Sequence, residues 1–253
     1  MFILRKFLLY LNPIIFMILL EMIWIEQAWW WSLMLVYLAV LILTLFEFSK
    51  RKLAARTLSF YIAPLLFALM SYLFLFFVET VWLYRLVYVI GAGLLYLYLD
   101  QLLNYFYFTV KYQPYTLESL SLYINIISIF YLTSSMLSLI IFLHLSPLLT
   151  AVFYYAVAAV LVYQLLWSHK YTWDQMKLFV TLVPLVLAET LYVISFLPFN
   201  YYVGGIVVAI LFYLMMNLIR MFLSDHAPRR VVITNISVSF VLIIIILATA
   251  QWS

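Results

Sequence analysis

The last apolar stretch of the chain, residues 231–252, reads VVITNISVSFVLIIIILATAQW and contains no charged residue. At about 1.5 Å per residue, a helix of this length is about 33 Å long, enough to cross the hydrocarbon core of a bilayer. A transmembrane β-barrel would instead need stretches of about ten residues that alternate between apolar and polar. The solidly apolar stretch therefore predicts a transmembrane helix.

The composition extends this prediction to the whole chain. Of its 253 residues, 70% are hydrophobic and 9% are charged, whereas a soluble domain carries about 25% charged residues. So few charges could not cover a soluble surface, and lipid must solvate most of the exterior. We predict an all-α, polytopic transmembrane helix bundle that forms a single domain over residues 1–253.

Apolar runs and polar breaks divide the chain into nine predicted spans with short connections. The predicted spans are residues 7–25, 29–47, 57–78, 81–105, 119–144, 148–168, 175–197, 201–222 and 231–252. None of the connections is long enough to hold a folded domain. The run that follows Arg5 and Lys6 has no small-residue cleavage site after it, so it reads as a retained first helix and not as a removable signal peptide.

The positions of the basic residues predict the orientation. If nine spans alternate, all thirteen Lys and Arg residues except Arg85 fall on the side of the N-terminus. Cytoplasmic loops carry such an excess of basic residues. We therefore expect a multi-pass protein of the cell membrane with its N-terminus inside and its C-terminus outside. The eight tryptophans all lie at predicted span ends, where indole rings prefer the headgroup boundary.

Several classes of chemistry are excluded or unsupported. The chain has no cysteine, which excludes disulfides and thiolate metal sites. Its three histidines are far apart and make no metal-binding spacing, and no nucleotide-binding or nucleophile-elbow motif occurs. The basic residues are scattered among span ends and form no continuous patch for nucleic acid. We expect no metal, no cofactor and no nucleic-acid partner.

Glu189 is the sharpest functional candidate. It lies about 12 residues beyond Lys177, or roughly 18 Å along a helix, which predicts a position near the bilayer centre. Pro184 precedes it, and a proline inside a helix frees a backbone carbonyl and kinks the chain. Ionisable residues inside spans usually face the bundle or a cavity. We expect Glu189 to be buried, either as a functional carboxylate or as a packing group.

Two further groups of polar residues are candidates for binding a substrate. Glu21 and Arg85 are predicted in the outer half of the first and fourth spans, where they could pair with each other or with Glu189, or extend to the headgroups. Asp100 and Asn104 share one helical face near the inner end of the fourth span, next to Gln101 and several tyrosines. They predict either a headgroup or substrate site or an ordinary interfacial belt.

Basic residues between the second and third spans are candidates for binding anionic lipid headgroups: Lys50, Arg51, Lys52 and Arg56. The alternative is that they only set the orientation. In the fifth span Ser121, Asn125, Ser128, Ser135 and Ser138 lie on one helical face. Together with Gly205 and Ala209 at small-xxx-small spacing in the eighth span, they predict close helix packing.

The segment ETLYVISFLPFNYYVGG at residues 189–205 is followed by Tyr213, Arg220, Arg229, Arg230 and the closing Ala250–Trp252. This C-terminal half resembles a family of uncharacterised polytopic membrane proteins from bacteria of the candidate phyla radiation. The resemblance implies a location in the cell inner membrane and no particular activity.

Three functions fit the pattern. The first is binding or transport of a lipidic or small amphipathic molecule in a cavity containing Glu189. The second is a structural subunit that packs against another membrane protein or a second copy of the chain. The third is a lipid-modifying enzyme with Glu189 or Asp100 as its catalytic carboxylate, so whether the protein is an enzyme stays open. In each case membrane lipids are the first expected partners.

Overall fold

The computed structural model describes residues 2–49, 55–108, 112–113, 115–198, 200–223 and 229–250. Within these ranges the chain forms nine α-helices and no strand, and one 3-10 turn, Gln27–Trp29, precedes the second helix. The helices are α1 (Phe2–Ile25), α2 (Trp30–Phe48), α3 (Ala55–Leu75), α4 (Val81–Tyr107), α5 (Thr116–Leu143), α6 (Pro147–Ser168), α7 (Trp173–Ile194), α8 (Tyr201–Leu223) and α9 (Arg229–Thr249).

Each predicted span coincides with one of these helices. Eight of them are long and apolar enough to cross a membrane, whereas in α3 the apolar segment found, Ser59–Leu75, is shorter. Long apolar runs form helices because a helix satisfies its backbone hydrogen bonds internally, as hydrocarbon requires. The all-helical fold of a multi-pass membrane protein is thus confirmed.

The tryptophans support the predicted helix ends. Trp24 lies in the last turn of α1, Trp82 in the first turn of α4 and Trp167 in the last turn of α6. Trp173 begins α7, and Trp29, Trp30 and Trp31 surround the beginning of α2. Among the described residues every tryptophan is therefore at a helix end, whereas Trp252 lies outside them.

The contacts divide the chain into two compact units. Unit 1 comprises Met1–Asn125 with Trp167–His169, and unit 2 comprises Ile126–Leu166 with Lys170–Ser253. Unit 1 contains α1 to α4 and the beginning of α5. Unit 2 contains the rest of α5, most of α6, and α7 to α9.

In unit 1, α1 and α4 run antiparallel along their whole length. At one end the Arg5 guanidinium lies 4.3 Å from the centre of the Tyr107 ring. Midway, Tyr10 stacks on Tyr96 with ring centres 5.6 Å apart. Toward the other end the Tyr84 hydroxyl donates to the carbonyl of Leu20 at 2.7 Å. These contacts fix the register of the two helices.

α3 lies beside α2 in the opposite direction. Near one end the Trp30 indole N–H donates to the carbonyl of Tyr72 at 3.1 Å. Near the other end the Tyr61 hydroxyl donates to the carbonyl of Leu45 at 2.8 Å. α3 is 21 residues long, about 31 Å at 1.5 Å per residue. It is therefore slightly longer than α2, which has 19 residues, although its apolar segment is shorter.

In unit 2 the glycines of α8 permit a close approach to α5. A Cβ atom on Gly205 would lie 2.9 Å from the Phe130 ring and would also overlap the Ser134 hydroxyl, and one on Gly204 would lie 2.5 Å from Leu137. Small residues at helix contacts in membranes allow this kind of packing. The predicted packing role of the eighth span is confirmed at Gly205.

The predicted polar face of α5 is also buried. The members of this face have 0% exposure: Ser121, Asn125, Ser128, Ser135 and Ser138. The hydroxyls of Ser135 and Ser138 donate to the carbonyls four residues earlier, at 2.7 and 2.9 Å. The face therefore serves helix packing. The hydroxyls of Ser135 and Ser138 return to their own backbone, whereas the Ser121 hydroxyl has no hydrogen-bond partner among the described residues.

Candidate functional site

α7 carries Glu189, the candidate carboxylate, and the beginning of this helix is well defined. Thr172 and Gln175 form a capping box in which each side chain bonds the other residue's backbone at the start of the helix. Pro184 lies inside the helix and is buried. Because proline has no N–H, the carbonyl of Val180 loses its usual helical partner. The face of α7 after this proline forms one wall of a groove.

The groove lies between the first half of α6 and the last half of α7, within unit 2. Its volume is about 550 Å³, in the range of small-molecule sites. Its walls are formed by Leu148, Ala151, Val152 and Tyr155 from α6, and by Leu185, Ala188, Glu189, Tyr192 and Val193 from α7. Six of these nine side chains are purely aliphatic, so the groove suits an apolar ligand.

Both helices bring their terminal turns to the same end of the groove. Leu148 lies in the first turn of α6 and Val193 in the last turn of α7. Tyr155 and Leu185 mark the opposite end, about 10–12 Å further along the helix axes at 1.5 Å per residue. The groove therefore extends from a helix-end boundary toward the middle of the helices.

Glu189 is not buried, and this prediction was wrong. Its side chain is exposed, and it is one of the residues that line the groove between α6 and α7, whose surface is almost entirely apolar. Glu189 lies five residues before Ile194, the end of α7, which is about 7.5 Å along the axis. It is therefore about midway between the middle of the helix and its end, and its depth in the bilayer stays a prediction.

No basic side chain lies beside Glu189 in the described part of the groove. The lining contains no Lys, Arg or His. One turn away on α7 the neighbours are Leu185, Val186, Tyr192 and Val193, none of which is basic. Tyr155 and Tyr192 are the other lining residues with a polar group. Glu189 is thus the only acidic residue of the described lining.

Glu21 and Arg85 meet in unit 1. The Arg85 Nη2 donates to Glu21 Oε1 at 2.7 Å, with 55% and 32% of the two side chains exposed. The second carboxylate oxygen, Glu21 Oε2, is enclosed and has no hydrogen-bond partner among the described residues. Of the alternatives that the sequence leaves open, the structure shows the pairing of these two residues with each other. The ion pair gives each of these two charged side chains a partner at a partly exposed position between α1 and α4.

Asp100 and Asn104 also contact each other. Asn104 Nδ2 donates to Asp100 Oδ2 at 3.1 Å, and Gln101 Nε2 donates to the same oxygen at 3.3 Å. All three side chains are half-buried. The shared helical face is confirmed, and the amides of α4 itself occupy one oxygen of the carboxylate.

The basic candidates between α2 and α3 are only partly described. Lys50, Arg51 and Lys52 lie outside the described residues. Arg56 lies in the first turn of α3, and its side chain is also outside the described part. Their assignment to lipid headgroups stays a prediction. Within the described chain, no three His, Asp or Glu side chains come together as metal ligands.

Two polar contacts were missed in the sequence. The first involves Asn12, in the middle of α1. The Tyr37 hydroxyl of α2 donates to Asn12 Oδ1 at 2.8 Å, and Asn12 Nδ2 donates to Thr44 Oγ1 of α2 at 3.2 Å. All three residues have at most 1% exposure. The signal was present, because Asn12 is a lone amide in an apolar run. This network joins α1 to α2 in the interior of unit 1.

The second missed contact lies before α5. The Tyr112 hydroxyl donates to Glu118 Oε2 at 3.2 Å, and Glu118 is buried. Burial, followed by the nearby Glu118 carboxylate, raises the pKa of the Tyr112 phenol to about 12. The phenol therefore stays protonated and keeps its bond to Glu118 at neutral pH.

Comparisons with known proteins add no relative to this picture. No family model, no curated protein and no solved structure matches the chain. The family resemblance of the C-terminal half therefore stays a prediction, and the functional argument depends on the groove of unit 2.

Proposed function

We propose that the chain crosses the membrane nine times, with its N-terminus in the cytoplasm and its C-terminus outside. Eight helices meet the length and hydropathy needed, and α3 runs beside α2 over the same depth. The distribution of Lys and Arg supports the orientation. With nine spans, the end of the groove formed by Leu148 and Val193 faces the outer leaflet.

Labelling of single cysteines tests this topology cleanly, because the native chain has none. A cysteine after Trp252 should react with an impermeant maleimide added outside intact cells. A cysteine before Phe7 should react only after the membrane is opened. Reaction of the C-terminal cysteine from the cytoplasmic side alone would contradict the topology.

We further propose that unit 2 binds a lipidic or small amphipathic molecule in the groove between α6 and α7. The observation that carries this proposal is the position of Glu189 in an otherwise apolar groove of about 550 Å³. A hydrocarbon chain matches the aliphatic walls, and Glu189 is the acidic residue of the lining beside which a polar head group would lie. An ionisable residue within a span marks a functional site by default, because keeping it there is costly.

A photoreactive probe tests this proposal. Hexadecanol with a diazirine in its chain should label residues of the groove in the purified protein in nanodiscs. Val152→Trp should remove most of this labelling, because Val152 lines the groove and is 64% exposed. Val160→Trp is the matched control, since Val160 is exposed on the same helix but does not line the groove. Equal labelling of both variants and the wild type would contradict the proposal.

A further inference from the structure

Arg5 lies in the first turn of α1, where this helix contacts the end of α4 in unit 1. Its guanidinium stands 4.3 Å from the centre of the Tyr107 ring, a cation–π contact that holds the charge in place. No carboxylate among the described residues forms an ion pair with Arg5. Its Nε atom is enclosed and has no acceptor among these residues. Arg5 is therefore a half-buried cation whose counter-ion the described chain does not supply.

The length of α4 brings this cation to the level of the lipid head groups. α4 has 27 residues and is about 40 Å long, whereas the hydrocarbon core of a bilayer is about 30 Å thick. Tyr107 is the last residue of α4, and an arginine beside it can extend its charge to the head groups. A guanidinium binds a phosphate group through two parallel, charge-assisted N–H bonds. With Nε enclosed, the two Nη nitrogens of Arg5 are the donors for such a pair.

An amide donor lies just below this level. Asn104 is one turn before Tyr107 on α4, which is about 4.5 Å along the axis. Its side chain is half-buried and donates one N–H to Asp100 Oδ2 at 3.1 Å. An amide group has a second N–H. In a glycerophospholipid the ester carbonyls follow the phosphate toward the bilayer interior. The second N–H of Asn104 is therefore at the depth where it can donate to an ester carbonyl.

The charges around Arg5 favour an anionic head group over a zwitterionic one. Lys6, the next residue, is exposed and adds a second positive charge. Two acidic residues belong to the same part of unit 1, and neither pairs with Arg5. Asp100 lies about 10.5 Å before the end of α4, and Glu47 offers its backbone carbonyl to the Tyr107 hydroxyl at 3.5 Å. An ammonium or choline group would add a positive charge beside Arg5 and Lys6, which disfavours it.

We infer that Arg5, Tyr107 and Asn104 form a site for an anionic glycerophospholipid. The phosphate pairs with the Arg5 guanidinium, the Tyr107 ring holds this guanidinium in place, and Asn104 reaches the ester region. The site belongs to unit 1 and is independent of the groove in unit 2. In the topology proposed above it faces the inner leaflet.

Photolabelling in nanodiscs tests the site. Phosphatidylglycerol with a diazirine in its acyl chain, present as a trace in phosphatidylcholine, should label peptides of α1 and α4. Arg5→Gln should reduce this labelling about fivefold, the equivalent of about 1 kcal/mol for one basic residue at a membrane surface. Arg5→Lys keeps the charge without the planar fork, and it should retain part of the labelling. Labelling of α1 and α4 that Arg5→Gln leaves unchanged overturns the inference.

Matched variants separate the site from net charge and from the Tyr107 hydroxyl. Lys177→Gln removes one positive charge in unit 2 from a side chain that is 58% exposed and already pairs with Asp174 at 3.0 Å. It should leave the labelling unchanged, and a loss equal to that of Arg5→Gln overturns the inference. Tyr107→Phe keeps the ring and should keep the labelling, whereas Tyr107→Leu should reduce it. Equal labelling of these two Tyr107 variants contradicts the role of the ring.

Competition distinguishes a lipid from a free phosphate. Unlabelled phosphatidylglycerol should reduce the labelling at about fivefold lower amounts than additional phosphatidylcholine. Glycerol 3-phosphate, which has the phosphate without the acyl chains, should compete poorly. Competition by glycerol 3-phosphate equal to that by phosphatidylglycerol overturns the assignment to a lipid. Each of these results leaves the groove untouched, because the diazirine hexadecanol reports on unit 2 separately.

Discussion

Gly205 lies where α8 packs against side chains of α5, and one added methyl group there should destabilise the protein. In Gly205→Ala the new Cβ would lie 2.9 Å from the Phe130 ring and would overlap the Ser134 hydroxyl. Both neighbours belong to a buried part of α5, so either a side chain or the helix must shift. Overpacking of this kind costs about 1–3 kcal/mol.

A second glycine provides the matched control with the opposite sign. Gly93 lies inside α4 and is exposed, and a Cβ there would meet no atom within 4 Å. Replacing a helical glycine by alanine without a clash should add about 0.5–1 kcal/mol of stability. The same gain partly offsets the clash at Gly205. We therefore expect a net loss of about 0.5–2 kcal/mol for Gly205→Ala.

The free energy of unfolding in mixed detergent micelles measures this difference. Titration with sodium dodecyl sulfate, followed by the fluorescence of the eight tryptophans, gives it for the wild type and both variants. We predict that Gly93→Ala is at least as stable as the wild type and that Gly205→Ala is less stable. A Gly205→Ala variant as stable as Gly93→Ala would refute the close contact between α8 and α5.

Three further predictions concern other contacts. Tyr37→Phe should cost about 1–2 kcal/mol in the same titration, because Asn12 Oδ1 then loses its donor inside unit 1, whereas Tyr10→Phe at an exposed position should cost little. The protonated phenol of Tyr112 contributes to the free energy of unfolding below pH 10, and this contribution is lost as the pH rises through its folded-state pKa of about 12. Tyr112→Phe should therefore lose less stability than the wild type at alkaline pH. Sedimentation with vesicles that contain phosphatidylglycerol should show weaker binding, by about 1 kcal/mol per charge, when glutamine replaces the basic residues Lys50, Arg51, Lys52 and Arg56, and equal binding would exclude the headgroup contact.

The helices could be predicted because their signals are chemical and local. Apolar runs of spanning length, ended by polar or basic residues, leave few alternatives for the backbone in lipid. Tryptophans such as Trp82 and Trp173 mark the ends independently of the charges. The face of α5 with Ser121 and Ser138 followed from helical spacing alone.

The position of Glu189 could not be predicted in the same way. α7 is apolar on nearly every side, so periodicity does not distinguish its buried face from its lipid-facing one. Ala188 and Leu191 face the interior, whereas Leu185 and Glu189 do not. The predicted span also ended at residue 197, three residues beyond the end of α7 at Ile194, so Glu189 lies closer to the helix end than the span estimate implied.

Solid-state NMR of the carboxyl carbons tests the central claim most directly. The chain contains six glutamates, and the resonance missing from the spectrum of Glu189→Gln identifies Glu189. Our account predicts that titration with hexadecanol in nanodiscs shifts this resonance to saturation and leaves those of Glu21 and Glu118 in place. A Glu189 resonance that does not respond while hexadecanol is bound, or an equal response of all glutamates, would contradict the assignment of the groove as the binding site.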